Sequence, residues 1–501
     1  MALIRTTTRY GIAEGVERNG IATFRGIPYA TPPVGALRWK RPVPLPEKKW
    51  DGVRVFDTFG SICPQKPPEH YLRDAAPIYM SEDCLYLNIW TPAETASDRL
   101  PVMVWIHGGA FMFGSQNSKL YFAESLCRKG IVVVHIAYRM NWFGFFSHPD
   151  LDAENAEHVS GNYGLWDEVE ALKWVRDNIA DFGGDPGRVT IAGQSAGGAS
   201  VAALLAFPAA EGLFSAGIIE SGVHDTDKLS CTLEEAERIL HEFLERKGYG
   251  DYSAAQLREL PAETLLELDI PTWFDGIAPL RPVVDGYVQP QQSYDMFRLA
   301  KIHDVPLIFG TNGYEGNMGP RDCDYKTFMD FIRGYAGEDC DKFLTVYPIT
   351  EESFETLKHI VGRDKEFANL HFLASRLCES RKSPVYHYHF AQGNLQKDGS
   401  VLMPTHAREL YYVWDHLEMQ PGDPEIKDKH KSLADKIGSY WTNFVKTGNP
   451  NGEGLPEWPA YSEACDKHLR IEAEQLGAYT SHYPIGTDLI EKMMKRAELS
   501  R

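Results

Sequence analysis

The chain has 501 residues, 43% hydrophobic and 24% charged, ordinary globular values that exclude a disordered polymer and a fibrous repeat. Its formal net charge of −19 disfavours nucleic acid and anionic membrane surfaces as partners, because both repel a strongly negative protein. No run approaches the roughly 18 apolar residues of a membrane span, and the first ten residues carry no apolar core of signal-peptide length, so a soluble, cytoplasmic protein is expected.

Residues 1 to about 50 alternate apolar and polar side chains. Asn19-Gly20 lies between Val16-Glu17-Arg18 and Ile21-Ala22-Thr23-Phe24, the signal of a tight hairpin, so antiparallel strands open the fold. Prolines at 28, 32, 33, 42 and 44 predict an extended surface loop over 28–44, since proline has no N–H to give to a ladder. Strand-type runs follow at 86–90, 102–106 and 131–138, and the last two are apolar on both faces, as central parallel strands require. Val169, Leu172, Val175 and Ile179 recur at helical spacing and predict an amphipathic helix.

The stretch Val189-Thr190-Ile191-Ala192-Gly193-Gln194-Ser195-Ala196-Gly197-Gly198 then runs from a β-branched strand through a glycine-flanked serine into an alanine-rich helix. This is the form of a nucleophile elbow, in which a strained turn lifts the serine hydroxyl clear of the sheet over a helix N-terminus. Further strands at 216–220, 305–309 and 385–390 complete the pattern. Strands alternating with helices predict a mostly parallel central sheet flanked by helices, with ligands bound beyond the strands' carboxyl ends, and the nucleophile elbow within it points to an α/β-hydrolase fold. The expected organisation is a single domain over 1–501, with helical insertions at about 225–300 and 315–380 over the active site. Leu433, Ile437, Tyr440, Trp441 and Phe444 predict a helix packed in the core, and the stretch 489–494 a helix packed on its own domain.

A serine hydroxyl needs a base to take its proton and an acid to orient that base. In α/β-hydrolases the chain order is serine, acid, histidine. Glu315 follows a strand in Phe309-Gly310-Thr311-Asn312-Gly313-Tyr314-Glu315-Gly316, and Asp285 in Pro282-Val283-Val284-Asp285-Gly286 is its rival. Among the histidines, His406 opens a helix-like run after the strand at 385–390 and is preferred to His416. Trp105-Ile106-His107-Gly108-Gly109-Ala110-Phe111 reads as a strand ending in a glycine loop. Such a loop aims N–H groups of Gly108, Gly109 and Ala110, with that of Ala196, at a developing oxyanion, and larger side chains would block the substrate oxygen. No Cys/His cluster has zinc spacing, and the chemistry calls for no metal or organic cofactor. Cys127, Cys231, Cys323, Cys340, Cys378 and Cys465 read as reduced thiols.

With Phe24-Arg25-Gly26-Ile27-Pro28-Tyr29-Ala30, Ser81-Glu82-Asp83-Cys84-Leu85-Tyr86-Leu87-Asn88, Gly161-Asn162-Tyr163-Gly164-Leu165 and Tyr440-Trp441-Thr442-Asn443-Phe444, these motifs make the sequence resemble the type-B carboxylesterase family, and its bacterial para-nitrobenzyl esterase-like branch most. The resemblance implies Ser195 as nucleophile, Glu315 rather than Asp285 as acid and His406 as base. It implies a small-molecule ester as substrate, with a carbamate, amide, thioester or natural-product ester as the alternative, and the oligomeric state, monomer or homodimer, stays open. A non-catalytic binding relative is disfavoured, since such relatives typically lose the serine.

It further implies Gln194 and Ser221 behind the triad, an Arg139–Glu82 salt bridge and a Cys63–Cys84 disulfide. Ala278 and Leu280 stand where relatives carry bulky acyl-pocket aromatics, and Met318 joins them as a substrate-binding candidate. No tryptophan lies between Cys63 and Cys84, which argues against choline esters.

Overall fold

At the first hairpin Asn19 and Gly20 take φ of 55° and 81°, the left-handed pair of a tight turn. They join Val16–Arg18 (β1) antiparallel to Ile21–Pro28 (β2), as expected. The computed structural model describes residues 2–47, 50–68, 79–223, 230–268, 279–315, 323–480 and 484–499. Contacts gather them into two compact units, one of residues 1–296, 301–306 and 438–450, the other of 297–300, 307–437 and 451–501.

In the first unit the strands continue as Tyr86–Thr91 (β3), Leu100–Ile106 (β4), Val132–Ile136 (β5), Gly184–Gln194 (β6) and Ala216–Glu220 (β7). Their order is β7-β6-β4-β5-β3-β2-β1. The pairs from β7 to β5 are parallel, and those from β5 to β1 antiparallel. Val102, Val104 and Ile106 fill one face of β4 and Met103 and Trp105 the other, and valines stand on both faces of β5, because both faces are covered; every residue of β5 is buried. The parallel β4–β6 register sets Ile106 opposite Gly193, so the loop after β4 and the turn after β6 leave the sheet side by side.

Tyr163–Asn178 (α1) forms where the apolar spacing predicts it, yet it is buried nearly all round rather than on one stripe. Its Asp167 and Glu168 are 0% exposed: Glu168, four residues before Leu172, falls on the apolar stripe, and Asp167, off that stripe, lies in the core as well. Asp167 corrects the expected Arg139–Glu82 bridge. Arg139 is forked on Asp167, Nε and Nη2 each donating at 2.7 Å, while Glu82 takes a fork from Arg38 instead. A buried guanidinium needs a carboxylate that is buried with it, and Asp167 is the acid brought to Arg139 by the packing of α1.

Helices Ala196–Ala206 (α2) and Leu233–Arg246 (α3) complete the larger elements here, the latter opened by a Thr232/Glu235 capping box. Cys63 and Cys84, paired by the resemblance, are both buried thiols, and the Cys84 thiol is pushed well up by its hydrogen bond to Cys63 and by burial.

The second unit carries Leu307–Asn312 (β8), Val385–Phe390 (β9), His468–Ile471 (β10) and Gly477–Tyr479 (β11). The first three pair in parallel and the last closes antiparallel. Tyr325–Ala336 (α4) precedes the long Phe354–Ser380 (α5), which crosses from β8 to β9 and lies against both. Asp428–Thr447 (α6), whose residues from 438 on belong to the first unit, buries Leu433, Ile437, Tyr440, Trp441 and Phe444, the core stripe that the sequence predicts. Pro484–Leu499 (α7) packs Leu489, Ile490, Met493 and Met494 on a cluster around Phe328, Phe343 and Val361, within its own unit. Among the described residues no helix is long and apolar enough to cross a membrane.

His371 on α5 ties this unit together, its Nδ1 lying 2.6 Å from Glu491 of α7 and its Nε2 2.5 Å from Asp466 before β10. Burial opposes a charged ring, but the two carboxylates outweigh it and raise its pKa to about 9. A group raised from 6.5 to about 9 stabilises fully below about pH 6.5 and loses that contribution as pH rises through 9. With the side chain 14% exposed, His371→Gln is therefore expected to cost on the order of 2 kcal/mol near pH 6 and almost nothing near pH 10. Urea midpoints of the two proteins from pH 6 to 10 check this; a constant gap would refute it.

Candidate active site

Ser195 stands between β6 and α2 with φ 58° and ψ −123°, a conformation strained for any residue with a Cβ. It is held from both sides. Its N–H donates to the Glu220 carbonyl of β7 at 2.9 Å, and its carbonyl accepts from Ala199 N–H at 2.8 Å. The turn closes only because Gly197 is bare, since a Cβ there would lie 2.0 Å from the Ile106 carbonyl oxygen. Ala196 N–H then heads α2, among the helix's unpaired amides.

The loop after β4 meets this turn directly. A Cβ on Gly108 would fall 3.1 Å from Ser195 Cβ, so the glycine loop lies against the serine. Gly109, Ala110 and Phe111 all take positive φ, of 121°, 56° and 62°, and a Cβ on Gly109 would run into the Phe113 carbonyl at 1.8 Å. Buried His107 fixes the base of the loop: its Nδ1 is 2.9 Å from the Gly108 oxygen and Tyr138 Oη donates to its carbonyl at 2.9 Å. Burial lowers the His107 pKa to about 4, so the ring is neutral. Ser195, Ala196, Ala110 and Phe111 line a cavity of about 80 Å³ with Ala199, Ala203, Gly222, Ser230, Arg281, Pro282, Gln289 and Ser293.

In the second unit the segment after β8 is cross-linked to the loop that carries His406. Tyr314 N–H donates to the Pro404 carbonyl at 3.0 Å, and Asn312 Nδ2 to that of Thr405 at 2.9 Å. Glu315 is buried, with Thr311 Oγ1 donating to its Oε2 at 3.0 Å and His406 Nδ1 3.2 Å from its Oε1. With the proton assigned to Nδ1, the ring donates to Glu315 and keeps Nε2 as an acceptor. The His406 side chain is 47% exposed, so that ring has access to a reactant.

The structure thus brings Glu315 to His406 and Gly108 to Ser195. It spends Asp285 elsewhere: Oδ1 accepts from the N–H groups of Tyr287, Val288 and Gln289 at 2.8–3.0 Å, and Oδ2 from Asn162. His416 is 3.5 Å from Glu418, beside its own helical turn. Gln194 and Ser221 are buried at the ends of β6 and β7. Leu280 is buried too, whereas Ala278 and Met318 lie outside the described residues.

Three buried carboxyls escape the sequence reading. Glu168 accepts from Ser200 Oγ of α2 at 2.7 Å, and Glu220 from Trp441 Nε1 of α6 at 2.7 Å. Burial pushes both up to about 8, so both are neutral acids at pH 7. Glu409, three residues after His406, accepts from Asn312 Nδ2. Its spacing from His406 is the one signal that could have found it.

A serine on a strand–turn–helix elbow, over a large and mostly parallel sheet flanked by helices, defines an α/β-hydrolase. The sequence model of the Carboxylesterase family matches residues 3–329 and 348–485. The chain is 36% identical over 487 residues to the para-nitrobenzyl esterase of Bacillus subtilis, covering 93% of this chain and 94% of that one. It is 33% identical over 475 residues to the fumonisin B1 esterase of Sphingopyxis macrogoltabida, covering 91% and 84%. A solved thermophilic PNB esterase superposes with a TM-score of 0.82 at 33% identity over 97% of this chain and 99% of that one. The Geobacillus stearothermophilus carboxylesterase does so with 0.80 at 32% identity, with the same coverage. The chain belongs to the carboxylesterase family and is a carboxylic ester hydrolase.

Proposed function

We propose that the chain hydrolyses small-molecule carboxylic esters through Ser195, His406 and Glu315 by way of an acyl-enzyme. The observation that carries the reading is the Glu315 Oε1 to His406 Nδ1 contact of 3.2 Å, which orients an imidazole whose Nε2 stays available as a base. In this mechanism Nε2 takes the Ser195 proton as Oγ attacks the ester carbonyl carbon. The carbonyl oxygen becomes an oxyanion facing the N–H groups of the Gly108–Ala110 loop and of Ala196, and each such donor is worth about 3 to 4 kcal/mol of barrier. His406 passes the proton to the departing alcohol oxygen and the acyl group stays on Oγ. Water, deprotonated by His406, attacks the acyl carbon, and Ser195 recovers its proton as the carboxylic acid leaves.

Relatives named for nitrobenzyl and fumonisin esters support this reading. It is completed as a cytoplasmic enzyme, monomer or homodimer, that needs no metal or cofactor. The test is release of nitrophenol from 4-nitrophenyl acetate, butyrate and octanoate, with a fluorophosphonate probe mapped by mass spectrometry. Turnover with the probe on Ser195 is expected. Turnover with Ser195 unlabelled, or a folded protein inert on all three esters, would overturn it.

A further inference from the structure

Among the described residues that line the cavity beside Ser195, one side chain is charged, Arg281. It is 4% exposed, and although burial lowers its pKa to about 10, it remains a cation at neutral pH. Ala199, Ala203 and Gly222 line the same cavity with small side chains or none.

Two more polar groups share that wall. Gln289 Nε2 donates to Ser230 Oγ at 3.3 Å, and Gln292 Nε2 donates to the Ser230 carbonyl, so Ser230 is fixed from two sides. The Gln289 amide oxygen is then left without a hydrogen bond among the described residues, on a side chain 3% exposed. Because the two ends of an amide exchange by a flip, Gln289 can equally accept from the Ser230 hydroxyl and turn its NH₂ to the cavity.

The guanidinium and the flipped Gln289 amide, whose oxygen takes the Ser230 hydroxyl proton while its NH₂ turns to the cavity, present hydrogen-bond donors, and an alkyl chain has nothing to offer them. A carboxylate has two planar acceptor oxygens that match the guanidinium fork. Ala110 and Ala196, whose N–H groups face the ester carbonyl oxygen in the proposed mechanism, line the same cavity, so the chain on the carbonyl carbon is the part of the substrate that enters it.

We propose that Arg281 is a specificity-determining residue, selecting esters whose short acyl chain ends in a carboxylate, that is, monoesters of dicarboxylic acids, with Gln289 and Ser230 completing the acyl-end site. This rests on Ser195 being the nucleophile at this cavity.

The test compares monoethyl succinate with ethyl butyrate, equal in acyl carbons, by pH-stat titration at pH 7.5. Carboxymethyl butyrate serves as the arm with its carboxylate on the alcohol. Wild type is expected to favour monoethyl succinate over ethyl butyrate about tenfold or more in kcat/KM, the scale of one charged hydrogen-bonded contact. Arg281→Gln should lower that ratio about ten- to a hundredfold, with Arg281→Lys between, since it keeps a charge but not the fork. Taking the ratio within each variant cancels general damage to the enzyme.

Should Arg281→Gln not fold, wild type still decides through product inhibition of ethyl butyrate hydrolysis, in which succinate is expected to bind about tenfold tighter than butyrate. A wild-type preference under about threefold, a ratio unmoved by Arg281→Gln, or a preference confined to carboxymethyl butyrate would overturn the proposal while leaving the Ser195 reading intact. Absence of turnover on all three esters would instead strike the Ser195 reading itself.

Discussion

Replacing Ser195 with alanine is expected to lower kcat on 4-nitrophenyl butyrate by about 10⁴- to 10⁶-fold with KM changed only a few-fold, because the variant keeps the pocket and loses the atom that becomes acylated. Glu315→Gln separates the two acids considered for the triad. It keeps the side chain's shape but presents an amide where Nδ1–H seeks a carboxylate, and a fall in kcat of about 10⁴-fold is expected. Asp285→Asn is expected to stay within a few-fold of wild type in kcat and to lose thermal stability, because Asp285 Oδ1 gathers three backbone N–H groups that a single amide oxygen holds less strongly. A collapse of Asp285→Asn with Glu315→Gln active would reverse the assignment.

The strain at position 195 offers a second readout from the same experiment. At φ 58° and ψ −123° the Cβ is costly, so Ser195→Gly, equally inactive, is expected to be about 1 to 3 kcal/mol more stable than Ser195→Ala. Equal melting temperatures for the two variants would mean that the elbow stores no strain.

What could be read without coordinates was local. Asn19-Gly20 dictates its own turn, the apolar faces of β4 and β5 dictate central strands, and the glycines around Ser195 are required by backbone contacts as close as that between Gly197 and the Ile106 carbonyl. The Glu315 and His406 positions were legible only as residues following strands, with Asp285 and His416 open as rivals until the family resemblance narrowed them. The partners that escaped depend on packing between distant segments. Spacing along α1 leaves Asp167 off the apolar stripe, and only the layers around the helix bury it. Arg139 met Asp167 rather than Glu82 for the same reason, since a sequence shows which residues can pair and the packing selects which do. Glu220 is likewise invisible as a buried acid until Trp441, 221 residues later, donates to it.

Removing the Arg139 guanidinium is expected to be the most destabilising single change considered. Arg139 and Asp167 are 2% and 0% exposed, with Nε and Nη2 on separate carboxylate oxygens, the Arg139 N–H on Oδ2 at 3.0 Å, and Nη2 also on the Lys40 carbonyl at 2.8 Å. Burial opposes the charge on Arg139, and the Asp167 carboxylate restores it, holding the guanidinium above its ordinary pKa. In Arg139→Met the apolar stem is replaced but the carboxylate stays in the core with one backbone N–H, at a cost of about 3 to 5 kcal/mol. Arg139→Met with Asp167→Leu removes both charges. It is expected to cost about 1 to 2 kcal/mol, chiefly for the Arg139 N–H and the Lys40 carbonyl left without these partners. Urea midpoints for the two single variants and the double variant decide the matter. A double variant less stable than Arg139→Met alone would show that the pair contributes more than a buried charge kept neutral by its partner, and that the core at α1 depends on the ion pair itself.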